Sequence, residues 1–483
     1  MSGHVEEEEA AKQSLLVKKS RGMKRVSFPP DEEMVSGFAE LKDTRQDGDS
    51  RTLTDIILAY EQSCMKHRVA PHPKTMDQIK EITSLSNRAR CLDLQGVRLD
   101  YRSCESLEEI LKSVRFNLIN LQGAELEENG ASSLMDMISY YESATHLDVS
   151  CNKSMGVSGW QALSRLLIQS RNLWRLDACN IPFEDYPAQA LSRALLSSRL
   201  TILHLENTGL SGKPLFMLVC ALKKNIALQE LYLCDNELNS FHDSMQLGEL
   251  LKYNRTLLTL DLSNNAVSDS GLEELCDGLR VQKSGLRTLV LHNNRITHHG
   301  MTHLGSVLPL LRTLETLDLS TNDLEDRGLH ALKEALISNR SISRLNLASV
   351  RITCEGAVVL AEFIAESRFL QTLDVRQNLV LTGGLMAFAL ALKLNHTLVH
   401  LDLDQNPKEE KDDFLIETQK NLLSRISDLC AANTEAASET DRRSATLLTR
   451  DDVDGEDEEE GNCGEDTAPC TAPQIPTPTL ASE

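Results

Sequence analysis

Aromatic residues make up only 4% of this 483-residue chain. Large rings therefore cannot build its core, and aliphatic side chains must do most of the burying. No run of about 18 apolar residues occurs, so no segment reads as a membrane-spanning helix. Positive charge is also short. Lys and Arg number 50 against 72 Asp and Glu, a net charge of -22. That balance argues against nucleic acid and anionic membranes as partners. The 12 cysteines include no C-x-x-C pair. The opening Met1-Ser2-Gly3-His4-Val5, followed by Glu6 to Glu9, lacks signal-peptide form. Reduced, mostly buried cysteines in an intracellular protein, cytoplasmic or nuclear or both, are the expectation.

Catalytic signatures are missing too. There is no P-loop, Gly-x-Ser-x-Gly or His-Glu-x-x-His. His292, His298, His299 and His303 gather in one stretch. A zinc site needs a closed shell of ligands, and these read instead as surface loop histidines. The expectation is a non-enzymatic chain with no cofactor and no metal.

What is present is a period. The pattern L-x-L-x-x-N recurs: Leu147-Asp148-Val149 leads to Asn152, Leu231-Tyr232-Leu233 to Asn236, Leu260-Asp261-Leu262 to Asn265 and Leu289-Val290-Leu291 to Asn294. It returns with Leu317-Asp318-Leu319 and Asn322, Leu373-Asp374-Val375 and Asn378, Leu401-Asp402-Leu403 and Asn406. Five weaker units place Val97, Ala124, Ile181, Thr208 and Val350 where Asn stands elsewhere. Anchors lie 27 to 29 residues apart, giving about twelve units. Each L-x-L reads as a short strand with its leucines inward and the middle residue outward. The inward Asn can donate to and accept from backbone that would otherwise be buried unpaired. Val97, Ala124 and Val350 cannot, so those turns must be satisfied otherwise or lie nearer water. Gly plus an apolar residue, as in Gly271-Leu272 and Gly300-Met301, marks the start of a return helix. The expected fold is α/β, a leucine-rich-repeat solenoid of the ribonuclease-inhibitor-like horseshoe type. Pro182, Pro187 and Pro214 predict local irregularity over 181–245.

The expected domains are a disordered head (1–50), an N-terminal helical cap (51–90), repeats (91–408), a capping helix (409–435) and an acidic, Pro/Thr-rich disordered tail (436–483). Leu53, Ile56, Ile57 and Tyr60 should form the buried face of the first cap, helped by the segment from Met76 to Ile82. Phe414, Ile416, Leu422, Leu423 and Ile426 should do so at the other end.

Within the head, Lys24-Arg25-Val26-Ser27-Phe28 fits the phosphatase-docking pattern RVxF. In extended chain Val26 and Phe28 share a side and can fill two apolar pockets while the backbone adds to a sheet edge. Pro29-Pro30 disfavours helix there. Lys112-Ser113-Val114-Arg115-Phe116 fits the same pattern but leads into a repeat strand, where its backbone and apolar groups should be committed. Met34-Val35 resembles an extension found in several phosphatase-binding proteins, and Arg45 stands where some carry a third, basic anchor. Ser27 follows a basic lead of the kind basophilic kinases favour, so it is a candidate regulatory phosphosite.

The stretch Lys24 to Gly37 (KRVSFPPDEEMVSG) followed by this array resembles the leucine-rich-repeat regulators of protein phosphatase 1. Tyr140 to Leu147 (YYESATHL), Thr353 to Ala357 (TCEGA), Ala361 to Ser367 (AEFIAES), Thr382 to Ala387 (TGGLMA) and Ile416 to Lys420 (IETQK) carry the resemblance further, from about residue 24 to about 425. It implies binding to the catalytic phosphatase and inhibition of it, with Val26 and Phe28 matching the docking residues and Lys24 and Arg25 the basic lead. The tail carries no resemblance.

Asp93, Asp148, Asp177, Asp261, Asp318, Asp374 and Asp402 all take the outward position of a strand. Asp is ordinary at this repeat position, and that is the preferred reading. The alternative is an acidic trough for a second, basic protein on the concave face, with Asp148, Asp261, Asp318, Asp374 and Asp402 as contacts. Two rival functions remain open at this stage. One is a GTPase activator or effector, for which no placed Arg is identifiable. The other is a signalling adaptor.

Overall fold

The computed structural model describes residues 52–405 and 412–448. The motif from Lys24 to Phe28, with Met34, Val35 and Arg45, lies outside these residues, as do Asn406 and residues 449–483 of the expected tail.

Two helices open the described chain, α1 (Leu53–His67) and α2 (Pro73–Lys80). Then strand and helix alternate: β1 (Ala89–Asp93), α3 (Tyr101–Ser106), α4 (Glu108–Ser113), β2 (Phe116–Asn120), α5 (Glu128–Tyr141), β3 (Ala144–Asp148), α6 (Gly156–Gln169), β4 (Arg175–Asp177) and α7 (Asp185–Leu195). The middle units bring β5 (Ile202–His204), α8 (Gly212–Leu222), β6 (Glu230–Tyr232), α9 (Phe241–Tyr253), β7 (Thr259–Asp261), α10 (Ser268–Val281), β8 (Thr288–Val290) and α11 (His298–Val307). The last are β9 (Thr316–Asp318), α12 (Glu325–Ser338), β10 (Arg344–Asn346), α13 (Cys354–Glu366), β11 (Thr372–Asp374), α14 (Thr382–Ala391), β12 (His400–Asp402) and α15 (Asp413–Leu448).

The twelve strands form one parallel sheet in sequence order. Its register is leucine on leucine: Leu231 faces Leu260, Leu260 faces Leu289 and Leu289 faces Leu317. The alternation of the strands sends this row into a continuous core, where Leu203, Leu231, Leu260, Leu289 and Leu317 are fully buried. Strands repeat every ~4.8 Å while packed helices need about 8–10 Å. The stack therefore bends with the sheet on its inner side.

Asparagine closes the regular turns. The Asn322 amide donates to the carbonyls of Leu291, Leu319 and Ser320 at 2.8, 2.9 and 3.2 Å. Its oxygen accepts from the backbone of Asn294 (2.9 Å) and Ile296 (3.1 Å) one unit earlier. Asn236, Asn265, Asn294 and Asn378 repeat the scheme. Units without Asn are served by their neighbours. The Val350 amide donates to Asn378 Oδ1 at 3.0 Å, and the Ala124 carbonyl accepts from Leu99. Both residues are fully buried, while Val97 is half-buried.

A second asparagine series had no part in the sequence reading. Asn225, Asn254, Asn339 and Asn395 follow helices α8, α9, α12 and α14. Each donates to a carbonyl of the preceding unit and accepts two amides of its own turn, as Asn254 does from Thr256 and Leu257. The glycines that mark helix starts lie in the first turn of their helices and also serve close approach. A Cβ on Gly300 would lie 2.6 Å from Asp269 Oδ1, and that carboxylate accepts from the Thr297 and Gly300 amides. A carboxylate of one helix thus caps the next, as Asp326 does for Thr353 and Gly356.

Irregularity over 181–245 is confined to the helices. Helices α7 and α8 have 11 residues each, against 14 and 13 in α6 and α9, and the strands keep register.

Both ends are closed by side chains that imitate a further repeat. On α2, the Gln78 amide donates to the Asp93 carbonyl at 2.9 Å and accepts from the Asp93 amide at 2.6 Å, as a neighbouring strand would. Ile56, Tyr60 and Ile79 are buried beneath, with Leu53, Ile57 and Met76 partly so. On α15, Asn433 donates to the carbonyls of Asn395 and Leu398, completing the second asparagine series. Gln419, Ile426, Cys430 and Asn433 make its buried face. Phe414 does not join it and is 75% exposed. The helix also runs beyond 435, where the tail was expected to begin, to Leu448. Ala, Arg and Leu recur in that stretch, and they favour helix.

Candidate functional site

The inner face of the sheet is a grid. Its central column runs through Asp148, Asp177, His204, Tyr232, Asp261, Val290, Asp318, Asn346, Asp374 and Asp402, each paired with the next in register. The predicted outward aspartates therefore do line one face.

Most of them have a local task. Asp148 Oδ1 accepts the Ser150 amide at 2.8 Å, Asp261 that of Ser263 at 2.9 Å, Asp318 that of Ser320 at 2.8 Å and Asp374 that of Arg376 at 3.0 Å. Asn346 does the same for Ala348. A short carboxylate or amide two residues upstream holds the chain as it leaves the strand. This gives the preference for Asp a physical cause that requires no partner.

Their charges are not equivalent. Asp374 is clasped by the Arg376 guanidinium at 2.5–3.1 Å. Asp318 accepts from the Asn346 amide at 2.8 Å. Asp177 is, with Asp374, one of two buried charges of the column. His146 Nε2 lies 2.6 Å from one oxygen, Arg175 Nε 2.9 Å from the other, and His204 Nε2 3.9 Å away. Burial opposes its ionisation, but the His146 and Arg175 contacts outweigh it and hold the carboxyl below the usual range. His204 Nδ1 meets Glu206 at 2.9 Å, and that contact holds Glu206 below its usual range against its own burial. The rings of His204 and Tyr232 stack at 4.1 Å. The grid thus has a mixed-charge, aromatic section over β3 to β6. Sequence reading missed it because its members come from four different units.

The cysteines of this section are not poised for nucleophilic chemistry. Burial pushes the Cys179 thiol up to about 12, and Cys234 is raised in the same way. The four histidines of the 292–303 stretch do not converge. His292 meets Ser320, the rings of His298 and His299 lie 4.1 Å apart at a tilt, and His303 turns towards Glu273. Among the described residues no group of three or more His, Cys, Asp or Glu is placed to hold a metal ion.

The second RVxF-like segment is spent on the fold. Val114 and Phe116 are 2% and 1% exposed, and Phe116 pairs with both Ala89 and Ala144 inside the sheet. Neither its backbone nor its apolar side chains can be offered to a partner.

These features define the class by fold: a leucine-rich-repeat solenoid. The family profile for Leucine Rich repeat matches residues 253–276 and 311–333. Among curated proteins, the chain is similar to Protein phosphatase 1 regulatory subunit 37. It is 48% identical to the Bos taurus protein over 293 residues, 60% of this chain and 42% of that protein. The Danio rerio protein is 50% identical over 295 residues, covering 61% and 32%. A Caenorhabditis elegans homolog is 38% identical over 296 residues, covering 59% and 31%. The matched stretch is thus less than half the length of each of these relatives. Among solved structures, the Rad7 and Elc1 complex in yeast aligns with a TM-score of 0.47 at 17% identity, covering 75% of this chain and 87% of that one.

Proposed function

We propose that this chain is a non-enzymatic regulatory and scaffold subunit that grips the catalytic subunit of protein phosphatase 1 through Lys24-Arg25-Val26-Ser27-Phe28 and inhibits or redirects it. The observation that carries the reading is the 48% identity, over 293 residues, to a protein named as a regulatory subunit of that phosphatase. Val26 and Phe28 fill two apolar pockets while the backbone between them extends a sheet edge of the catalytic subunit. Lys24 and Arg25 meet acidic rim groups. Met34-Val35 and Arg45 extend the contact. The concave face supplies a second surface, for orientation of the phosphatase or for a second protein. Two linked weak contacts then raise avidity through effective concentration. Phosphate on Ser27 adds roughly −1.5 to −2 charge between the two apolar plugs and weakens docking.

The test is binding of the purified catalytic subunit to the full chain and to the Val26→Ala, Phe28→Ala double variant, with activity read on a small aryl phosphate and on a protein substrate. Binding by the wild type and its loss in the variant is the expected result. A wild type that does not bind at all turns the reading towards a GTPase effector or an adaptor. A head peptide carrying phosphoserine at 27 is expected to bind more weakly than its plain form; equal binding removes the switch. For the trough, Asp402 is changed to Asn together with Asp148, Asp261 and Asp318, at which Asn still accepts the strand-exit amide. Salt-sensitive binding of a basic protein to the array should fall, and unchanged binding returns these residues to a purely structural role.

A further inference from the structure

Helices α7 and α8, with 11 residues each, are shorter than the flanking α6 and α9, and their outer faces do not close against each other. A groove of about 300 Å³ opens between them. Its walls are Leu196, Phe216, Met217 and Cys220. Leu196 and Phe216 are 55% and 50% exposed. Arg193 and Lys224 stand on the rim, both exposed and without an ion-pair partner among the described residues. No acidic side chain lines the groove. Ser192 also lines it, 9% exposed, with a buried hydroxyl that has no hydrogen-bond partner among the described residues. In a chain of net charge -22, an apolar slot rimmed only by cations is a local inversion of the whole.

We propose that this groove docks a short amphipathic segment of a partner protein, with one large apolar side chain in the slot and carboxylates set against Arg193 and Lys224. The volume is at the lower limit of small-ligand pockets. It takes one or two side chains and not a folded surface, which is the anchoring pattern of a peptide laid along helices. Rim charge chooses the partner's sign. At physiological ionic strength charges beyond about 8 Å are screened, so the two adjacent cations dominate over the distant acidic remainder. The site is on the outer, helical side of the array. It is independent of the head motif and of the sheet face.

Cys220 makes the groove measurable, since it is the exposed cysteine among the described residues. The probe is a helical peptide carrying Trp with Glu four residues to each side, and its twin carries Lys in place of both Glu. Alkylation at Cys220 of the full chain is followed by peptide mass. The acidic peptide, at about 1 mM, is expected to slow that alkylation by about threefold or more, a size two exposed ion pairs can give. The Lys twin is expected to leave the rate unchanged, although the chain's overall charge would attract it. Arg193→Glu with Lys224→Glu should reverse the preference without altering the far-UV spectrum. Equal protection by the two peptides, protection by neither, or protection by the acidic peptide that survives the charge reversal overturns the proposal. So does a rate that falls with protein concentration alone, which assigns the groove to a second copy. A rate that rises when residues 449–483 are removed assigns it to the chain's own tail and likewise overturns it.

Discussion

Replacing Asn322 with Ala tests the account of what holds the units together. Asn322 is 5% exposed and makes five hydrogen bonds, three given and two received. The Ala variant leaves the amides of Asn294 and Ile296 without that acceptor in a dry interior. An unsatisfied buried donor costs about 1–3 kcal/mol, so the two together cost about 2–6 kcal/mol before the carbonyls are considered. Repeat arrays are stabilised by nearest-neighbour interfaces, so the damage should be local to the units of Asn294 and Asn322. Urea unfolding should show a loss of about 3–4 kcal/mol. Amide exchange should accelerate at Asn294 and Ile296 before it does in the first units. Asn239→Ala, at an exposed position, should change stability by no more than ~0.5 kcal/mol. A loss below about 1 kcal/mol for Asn322→Ala, with exchange at 294 and 296 unchanged, would refute the reasoning.

Other expectations follow from the same geometry. Asp177 has a depressed carboxyl, so its stabilising contribution is complete above the ordinary carboxylate value of about 3.9 and is lost as pH falls through the lower folded value. Asp177→Asn should cost about 1–3 kcal/mol at neutral pH and flatten the acid limb of a urea-midpoint profile; an unchanged profile would remove the electrostatic role. Ile426→Ala, at a position 2% exposed, should cost about 2–4 kcal/mol. Phe414→Ala should cost ~0.5 kcal/mol or less, and equal losses in chemical denaturation would contradict the placement of the cap face.

Strands and inward leucines were legible because alternation has a period of two and repeats at a fixed distance, so Leu260 and Leu289 declare each other. The turn asparagines were legible for the same reason. The helix-end series Asn225, Asn254, Asn339 and Asn395 carried a signal that was overlooked: Asn is followed two residues later by Ala, Thr or Ser, then by Leu or Ile. The cluster around Asp177 was not legible. Arg175 sits two residues away on the same strand, but His146 and His204 meet it only because the sheet sets three units side by side, and no linear spacing announces which neighbour will turn towards it. Phe414 misled because apolar character alone does not say on which turn the cap begins to touch. The groove at Leu196 and Phe216 depends on two helices each ending early, a property of the space between units.

The amides of Gln78 and Asn433 act as counterfeit neighbours. Each offers a sheet or turn the bonds that another copy of the unit would have brought, so neither terminus presents a template on which further material could polymerise. A thirteenth consensus unit spliced in after 405 would have to compete with α15 for the same seat. The length of this array is therefore set by two side chains as much as by the number of units encoded.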